Sequence, residues 1–298
     1  MRLLYCFIVN KASGNGRAYK IWNKIEKMLV EREIAYCVYF TQKPKHATLL
    51  VRELIRKEEV KVIVAVGGDG TVHEVINGLI GSDVPFGIIP AGSGNDFSKG
   101  LGISSKYEKA LERILNGRPK HIDIGCVNST YFVTVAGIGF DGEVAHVANT
   151  SIYKKVFNYF RLGHITYLMS AIKVLTQYRP MDISIRIDKD LHTFKKVWLI
   201  AVANLPFYGG GLIICPKAKN NDGVFDICIV QGISKLEFLR LFPSVFKGKH
   251  IDSPLIKTYR GKELEIHSTM PLKIHGDGEQ IGKCPAHIKI IPFALNVL

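Results

Sequence analysis

The 298-residue chain is 47% hydrophobic and 22% charged, the composition of a packed globular protein, which excludes an intrinsically disordered one. Forty Lys and Arg against 26 Asp and Glu give a formal net charge of +14, so the molecule is drawn to anions: nucleic acid, nucleotide phosphates or an anionic membrane surface. The charge does not choose among them, and the length suits one large domain or two of ordinary size.

The first residues, MRLLYCFIVNKASGNG, carry too short an apolar core for a secretory signal and no small-residue cleavage pattern. Short apolar runs at 3–9, 35–40, 62–66 and 86–89 read as strands. Between them lie segments with helical spacing: 18–32, which puts Ile21, Ile25, Met28 and Leu29 on one stripe, then 46–57 and 72–80. Strand–helix–strand repetition predicts right-handed crossovers and a doubly wound α/β domain. In such sheets ligands bind beyond the carboxyl ends of the strands. Each strand here ends in a polar or glycine-rich loop, at 10–16, 41–44, 67–71 and 90–96.

Near Lys120 the texture changes to period-two alternation, at 131–136, 182–187, 196–204, 224–230, 263–267 and 287–291. This predicts an antiparallel sandwich or barrel. The expected boundary is therefore 1–122 for the α/β domain and 123–298 for the antiparallel one, with room for the last strand to return to the first domain. Residues 151–178 interrupt the alternation, with Ile165, Leu168, Met169, Ile172 and Leu175 at helical spacing. No acidic residue occurs between Val144 and Met181. The uncharged stretch 197–216 is long enough to span a bilayer, but Asn204, Pro206, Gly209, Gly210, Gly211 and Pro216 would leave backbone groups unpaired there. It reads as two buried strands around a glycine turn, and the expectation is a soluble, cytoplasmic protein. Six cysteines without a C-x-x-C pair read as small buried hydrophobes in a reducing compartment.

V-G-G-D-G-T at 66–71 follows a buried strand and opens a helix. Adjacent Gly67 and Gly68 let backbone N–H groups and the helix start come close to a phosphate. Asp69 can ligate Mg²⁺ or accept a proton, and Thr71 can cap the helix and donate to phosphate. An ordinary glycine-rich turn would look the same, but two further loops stand at neighbouring strand ends. They are P-A-G-S-G-N-D-F at 90–97, with Ser93, Asn95 and Asp96, and N-K-A-S-G at 10–14.

G-G-D-G-T followed by P-A-G-S-G-N-D-F resembles the diacylglycerol kinase catalytic domain family, in particular its small bacterial-type lipid kinases, and more distantly sphingosine and ceramide kinases. The resemblance spans the chain, since G-I-G-F-D at 137–141, N-D-G at 221–223 and D-G-E at 277–279 follow in order. It implies an ATP- and Mg²⁺-dependent kinase that phosphorylates a lipid hydroxyl in phospholipid biosynthesis, with an α/β domain, a β-sandwich and an active site in the cleft between them. Carried over by position, Asn10, Lys11, Ala12, Ser13, Gly14, Thr41, Gly67, Gly68, Asp69, Gly70, Thr71, Val72, His73 and Ser93, with Asn95 and Asp96 beside them, hold ATP. A structural Mg²⁺ falls on Asp222 with the carbonyls of Lys219 and Val224. Glu279 is the first choice as general base and Asp277 the second. Ser93 stands where many of these kinases have Thr, which keeps the hydroxyl.

Four alternatives stand beside this. G-I-G-F-D-G at 137–142 matches the dinucleotide fingerprint, but no acidic residue follows before Asp182. NAD kinases share the G-G-D-G-T turn, so phosphorylation of a soluble nucleotide is the nearest rival. A non-catalytic lipid or nucleotide binder is the other, opposed by the carboxylates at Asp69, Asp222, Asp277 and Glu279. Nucleic acid has no recognisable module behind it. The basic, aromatic segment around Tyr153, Lys154, Lys155, Phe157, Tyr159, Phe160 and Arg161 suits an anionic membrane surface, and equally a solvated helix on the sandwich. A sandwich edge leaves room for a homodimer.

Overall fold

The computed structural model describes residues 4–56, 60–150 and 163–298. They form two units: the residues up to Ile122 with Phe293–Leu298, and Asp123–Pro292. The aromatic segment singled out above, from Tyr153 to Arg161, lies outside the described residues.

In the first unit the apolar runs become β1 (Leu4–Val9), β2 (Tyr36–Phe40), β3 (Val60–Gly67) and β4 (Phe86–Pro90). All pair in parallel, in the order β2-β1-β3-β4, and Val9 sits opposite both Phe40 and Val66. β1, β3 and β4 are buried along almost their whole length, which is why they read as continuous apolar runs. The crossovers are α1 (Arg17–Glu31), α2 (His46–Ile55) and α3 (Asp69–Leu79). On α1, Ala18, Trp22, Ile25 and Leu29 face inward at the spacing of one helical stripe, with Trp22 packed 5.0 Å from the Phe7 ring. The order places β1 and β3 side by side with their outgoing loops leading apart, the switch point at which α/β sheets bind ligands. After β4 come a short α4 (Asp96–Gly100) and α5 (Tyr107–Asn116), neither of which the sequence pattern predicted.

β5 (Lys120–Val127) begins in the first unit and continues into the second, which then forms β6 (Thr130–Phe132) and β7 (Val135–Gly139). The run predicted over 131–136 is thus two strands, broken at Val133 and Thr134. Helices α6 (Phe140–Thr150) and α7 (Gly163–Gln177) precede β8 (Met181–Ile187) and the long β9 (Asp190–Ala203). A small hairpin, β10 (Phe207–Tyr208) and β11 (Leu212–Ile213), turns around the glycine triplet. β12 (Phe225–Gln231), α8 (Lys235–Val245), β13 (Ile256–Gly261), β14 (Glu263–Ser268), β15 (Lys273–Gly276), β16 (Glu279–Lys283) and β17 (Ala286–Val297) complete it. The strands pair in the order β16-β15-β7-β9-β8-β14-β17, and β12 bridges β9 and β13. The end of β17 joins the first unit, where Val297 lies parallel to Phe86.

β9 shows how one strand serves two cores. Ile200 and Val202 point into the sandwich with Phe132, Phe225, Ile227 and Ile266. Leu199, Ala201 and Ala203 point to the other side, where α7 and α8 cover them. Strict alternation of side chains along a strand makes both possible. All six cysteines are free thiols, five of them buried, and burial pushes Cys228 up to about 12 and Cys284 up to about 11. Thiols so raised are inert at neutral pH. No helix among the described residues is long and apolar enough to cross a membrane.

Candidate functional site

Three loops meet at the carboxyl end of the first unit's sheet. Strand-like bonding continues past the strands: Asn10 N donates to Val66 O at 3.1 Å and Ala91 N to Gly67 O at 2.7 Å. Gly68 and Gly92 then face each other backbone to backbone. A Cβ on Gly68 would stand 2.8 Å from the Gly92 Cα, and one on Gly92 would overlap the Gly68 Cα. Only glycine fits at either position. Gly14, at φ 59°, is equally confined, since a side chain there would run into the Ala91 carbonyl.

Side chains finish the fastening. Asn10 Nδ2 donates to Thr71 Oγ1 at 3.1 Å, joining the first loop to the second. Thr71 therefore does not cap α3 as expected: the cap position is Gly68, with no side-chain bond to the helix start. Asp69 Oδ1 accepts from Phe97 N at 3.3 Å, joining the second loop to the third. Asn95, in the left-handed region, bonds both ways with Gly92, and Asp96 is buried 3.5 Å from Lys99 Nζ. Thr41 N donates to Val9 O at 3.0 Å, which brings the loop after β2 alongside. Lys11 lies over the Phe40 and Tyr19 rings, 3.9 and 5.0 Å from their centroids. Ser93 and Ala12 are exposed, whereas Val72 and His73 turn into the buried side of α3.

Arg17 was not anticipated. Its Nε donates to Ala91 O at 3.3 Å and its Nη2 to Gly92 O, so the first residue of α1 holds the third loop. A basic residue directly after a glycine turn was the only signal for it.

The second unit places the other predicted carboxylates. Asp277, at φ 56°, accepts from Val133 N, from Thr134 N at 2.8 Å and from Thr134 Oγ1 at 2.6 Å. These bonds explain the break between β6 and β7: the two backbone N–H groups turn aside from the ladder to reach a carboxylate. Asn204, fully buried, donates to Val133 O and to Asp123 O, and Asp123 Oδ2 accepts from Gly223 N at 2.8 Å. One network thus links the 221–223 turn to the 277–279 turn. Sequence reasoning missed Asp123 and Asn204, which sit in apolar strand patterns with no motif around them. Glu279, past Gly278 at φ 84°, is exposed at the start of β16. Gly137 makes room for a buried pair, His275 Nε2 and Asp141 Oδ2 at 3.4 Å, since a Cβ there would strike both.

At the expected Mg²⁺ position, one carboxylate and two carbonyl oxygens are donors of the hard kind that suit Mg²⁺. Asp222 is already engaged, however: Oδ2 pairs with Arg260 Nη2 and Oδ1 accepts from Val224 N at 3.3 Å. Arg260 Nε also lies 3.7 Å from Asp226 Oδ2, and burial pushes the Asp226 carboxyl up. As arranged, the Asp222 carboxylate is taken up by the Arg260 guanidinium and by Val224 N, which does not fit a dication held there with the carbonyls of Lys219 and Val224.

Residues 5–127 match the diacylglycerol kinase catalytic domain, and residues 134–298 match the YegS C-terminal NAD kinase beta sandwich-like domain. The chain belongs to the diacylglycerol kinase catalytic domain family. It is thereby a member of a family of lipid kinases, which are phosphotransferases. A diacylglycerol kinase of Mycobacterium tuberculosis (strain H37Rv) is 32% identical, over 98% of this chain and 93% of that protein. A Bacillus subtilis (strain 168) protein named "Putative lipid kinase YtlR" is 30% identical over 98% of both. Among solved structures, a "putative diacylglycerol kinase" from Bacillus anthracis str. Sterne is 26% identical with a TM-score of 0.81, covering 99% of this chain and 96% of that one. The two-part architecture of an α/β kinase domain followed by a β-sandwich-like domain is that of this family.

Proposed function

We propose that the protein transfers the γ-phosphoryl group of ATP to a lipid hydroxyl, with diacylglycerol as acceptor and phosphatidate as product. The observation that carries this reading is the contact between Gly68 and Gly92, which joins two glycine loops beside the uncapped start of α3. A cradle of backbone N–H groups at a helix N-terminus, kept clear of side chains, is what a phosphate requires. The loops holding Asn10, Lys11, Ala12, Ser13, Gly14, Thr41, Gly67 to Thr71 and Ser93 supply it, while Val72 N donates to Gly68 O at 3.0 Å and Val72 and His73 turn their side chains inward to hold the start of α3 in place.

Phosphoryl transfer depends on positioning and charge neutralisation more than on covalent chemistry by the protein. ATP enters as its Mg²⁺ complex, the metal arriving with the substrate. Exposed Glu279 takes the proton of the lipid hydroxyl as that oxygen bonds to the γ-phosphorus. The bond from the γ-phosphorus to the bridging oxygen breaks, and ADP leaves. Asp277 acts through the chain, holding the turn that carries Glu279. The acceptor is met at a membrane to which the enzyme binds peripherally from the cytoplasm.

Radiolabelled ATP, Mg²⁺ and diacylglycerol in mixed micelles, with NAD in a parallel reaction, test this. Labelled phosphatidate is expected. Label on NAD instead would favour the soluble-nucleotide reading, and label on neither would favour a non-catalytic binder.

A further inference from the structure

α8 is apolar on two sides. Its inner side packs on the core: Phe238 lies 4.8 Å from the Trp198 ring and 5.0 Å from the Phe140 ring, with Leu241, Phe242 and Val245 beside it. Its outer side carries Leu236, 57% exposed, Leu239, 50%, and, just past the helix, Phe246, 55%. Spacings of three and seven put them on one stripe. α7 repeats the pattern, with Val174 and Leu175 inward and Met169 and Ile172 outward, both at least half exposed. Lys235 Nζ donates to Thr176 O at 2.9 Å, tying the start of α8 to the end of α7. Both helices rest on the same core over the same side of β9, so their outer stripes share one surface.

That surface is also cationic. Exposed Lys173, Lys235, Arg240 and Lys247 stand among the apolar side chains. α7 contains no acidic residue, and the single one on α8, Glu237, serves the capping box, where it accepts from Ser234 N and Oγ at 2.7 Å each. Apolar side chains in a ring of cations match the boundary of an anionic bilayer. They are a poor match for a second copy, because a two-fold contact sets each patch against itself and like charges against like.

We infer that the outer face of α7 and α8, led by Leu236, Leu239, Ile172 and Met169, is where the protein docks on anionic lipid. The inference deepens the lipid-kinase reading and rests on it only in that such an enzyme meets its acceptor in a bilayer. The placement is set by these residues, independently of the 151–162 segment.

The test is co-sedimentation of the full chain with phosphatidylglycerol/phosphatidylcholine vesicles and with phosphatidylcholine alone. Wild type is expected to partition onto the anionic vesicles. Leu236→Glu/Leu239→Glu should weaken that partitioning about tenfold or more by removing the apolar anchor. Lys173→Gln/Arg240→Gln should weaken it by about fivefold per charge removed, an effect that fades at high salt. Both variants should phosphorylate a monomeric short-chain diacylglycerol as wild type does, which also shows that they fold. Unchanged partitioning in both, or no binding of wild type to anionic vesicles, overturns the inference. So does light scattering that finds a wild-type dimer dissolved by Leu236→Glu/Leu239→Glu while vesicle binding is unaffected. If no diacylglycerol is phosphorylated but vesicle binding still depends on this face, the docking surface stands and the substrate reading falls.

Discussion

The two units fasten their glycine turns by opposite means. In the first, loops 10–16, 67–71 and 90–96 are joined chiefly through backbone, by strand-like bonds and by two glycines in contact. In the second, turns 221–223 and 277–279 are held by carboxylates, Asp123 on Gly223 N and Asp277 on Val133 and Thr134. The difference teaches how to read the motifs. Glycine marks the place where a ligand or another backbone must come close. An aspartate in the same tripeptide marks a fastening, and the neighbour left exposed, Glu279, is the group we propose for the chemistry.

The largest expected effect separates those two roles within D-G-E. Glu279→Gln should lower kcat by about 10²–10⁴-fold, the usual contribution of a general base, with an unchanged Tm. Asp277→Asn turns an amide N–H toward donors that need an acceptor and should cost about 1–3 kcal/mol of stability. Steady-state kinetics on diacylglycerol with parallel thermal melts would check both. A Glu279→Gln enzyme of full kcat, beside an Asp277→Asn enzyme that melts normally without turnover, would reverse the assignment.

Next comes the backbone contact in the first unit. Gly92→Val places a branched side chain where the Gly68 Cα lies. Overpacking of this kind costs about 1–3 kcal/mol, and the loops must part to relieve it. Calorimetric titration with ATP should show affinity falling at least about tenfold, the equivalent of about 1.4 kcal/mol. An unchanged ATP affinity would mean the contact does not shape the nucleotide site.

How much was legible follows the same division. β1, β3 and β4 stood out because strands buried on both faces are unbroken apolar runs, and their glycine loops followed from the strand ends. The positions of Asp277 and Glu279 came with the D-G-E motif, but their different environments depend on Val133 and Thr134, over 140 residues away in sequence. The paired acceptor of Arg260 is likewise distant, and no local pattern announces it. α8 escaped because apolar residues on both sides erase the stripe that marks an amphipathic helix, although its Ser234–Glu237 capping box was in plain view.

Arg260 permits a smaller test on the carboxylate-held side. Removing the guanidinium in Arg260→Ala takes away the cation that pairs with both Asp222 and Asp226. Mg²⁺ should then raise the Tm of the variant, by linkage to the folded state, while leaving that of wild type unmoved. Equal Mg²⁺ stabilisation of both proteins would show that the dication and the guanidinium do not compete.

The smallest effect concerns His250, whose buried ring donates from Nε2 to Ile214 O at 2.9 Å while Nδ1 has no partner among the described residues. Burial lowers its pKa below the ordinary 6.5, against weaker opposing effects of that hydrogen bond and of Asp252. Above pH 6.5 the ring is neutral whether folded or unfolded, so its packing contributes in full. As pH falls below that value the unfolded chain takes up the proton first, and the contribution drains away down through the lowered folded pKa. His250→Gln keeps a donor near Ile214 and removes the titration. Urea midpoints at about pH 7.5 and 5.5 should therefore fall more for wild type than for the variant, bringing the two proteins closer at the lower pH. A gap that stays constant between the two conditions would mean that the ring is hydrated enough to accept its proton in place.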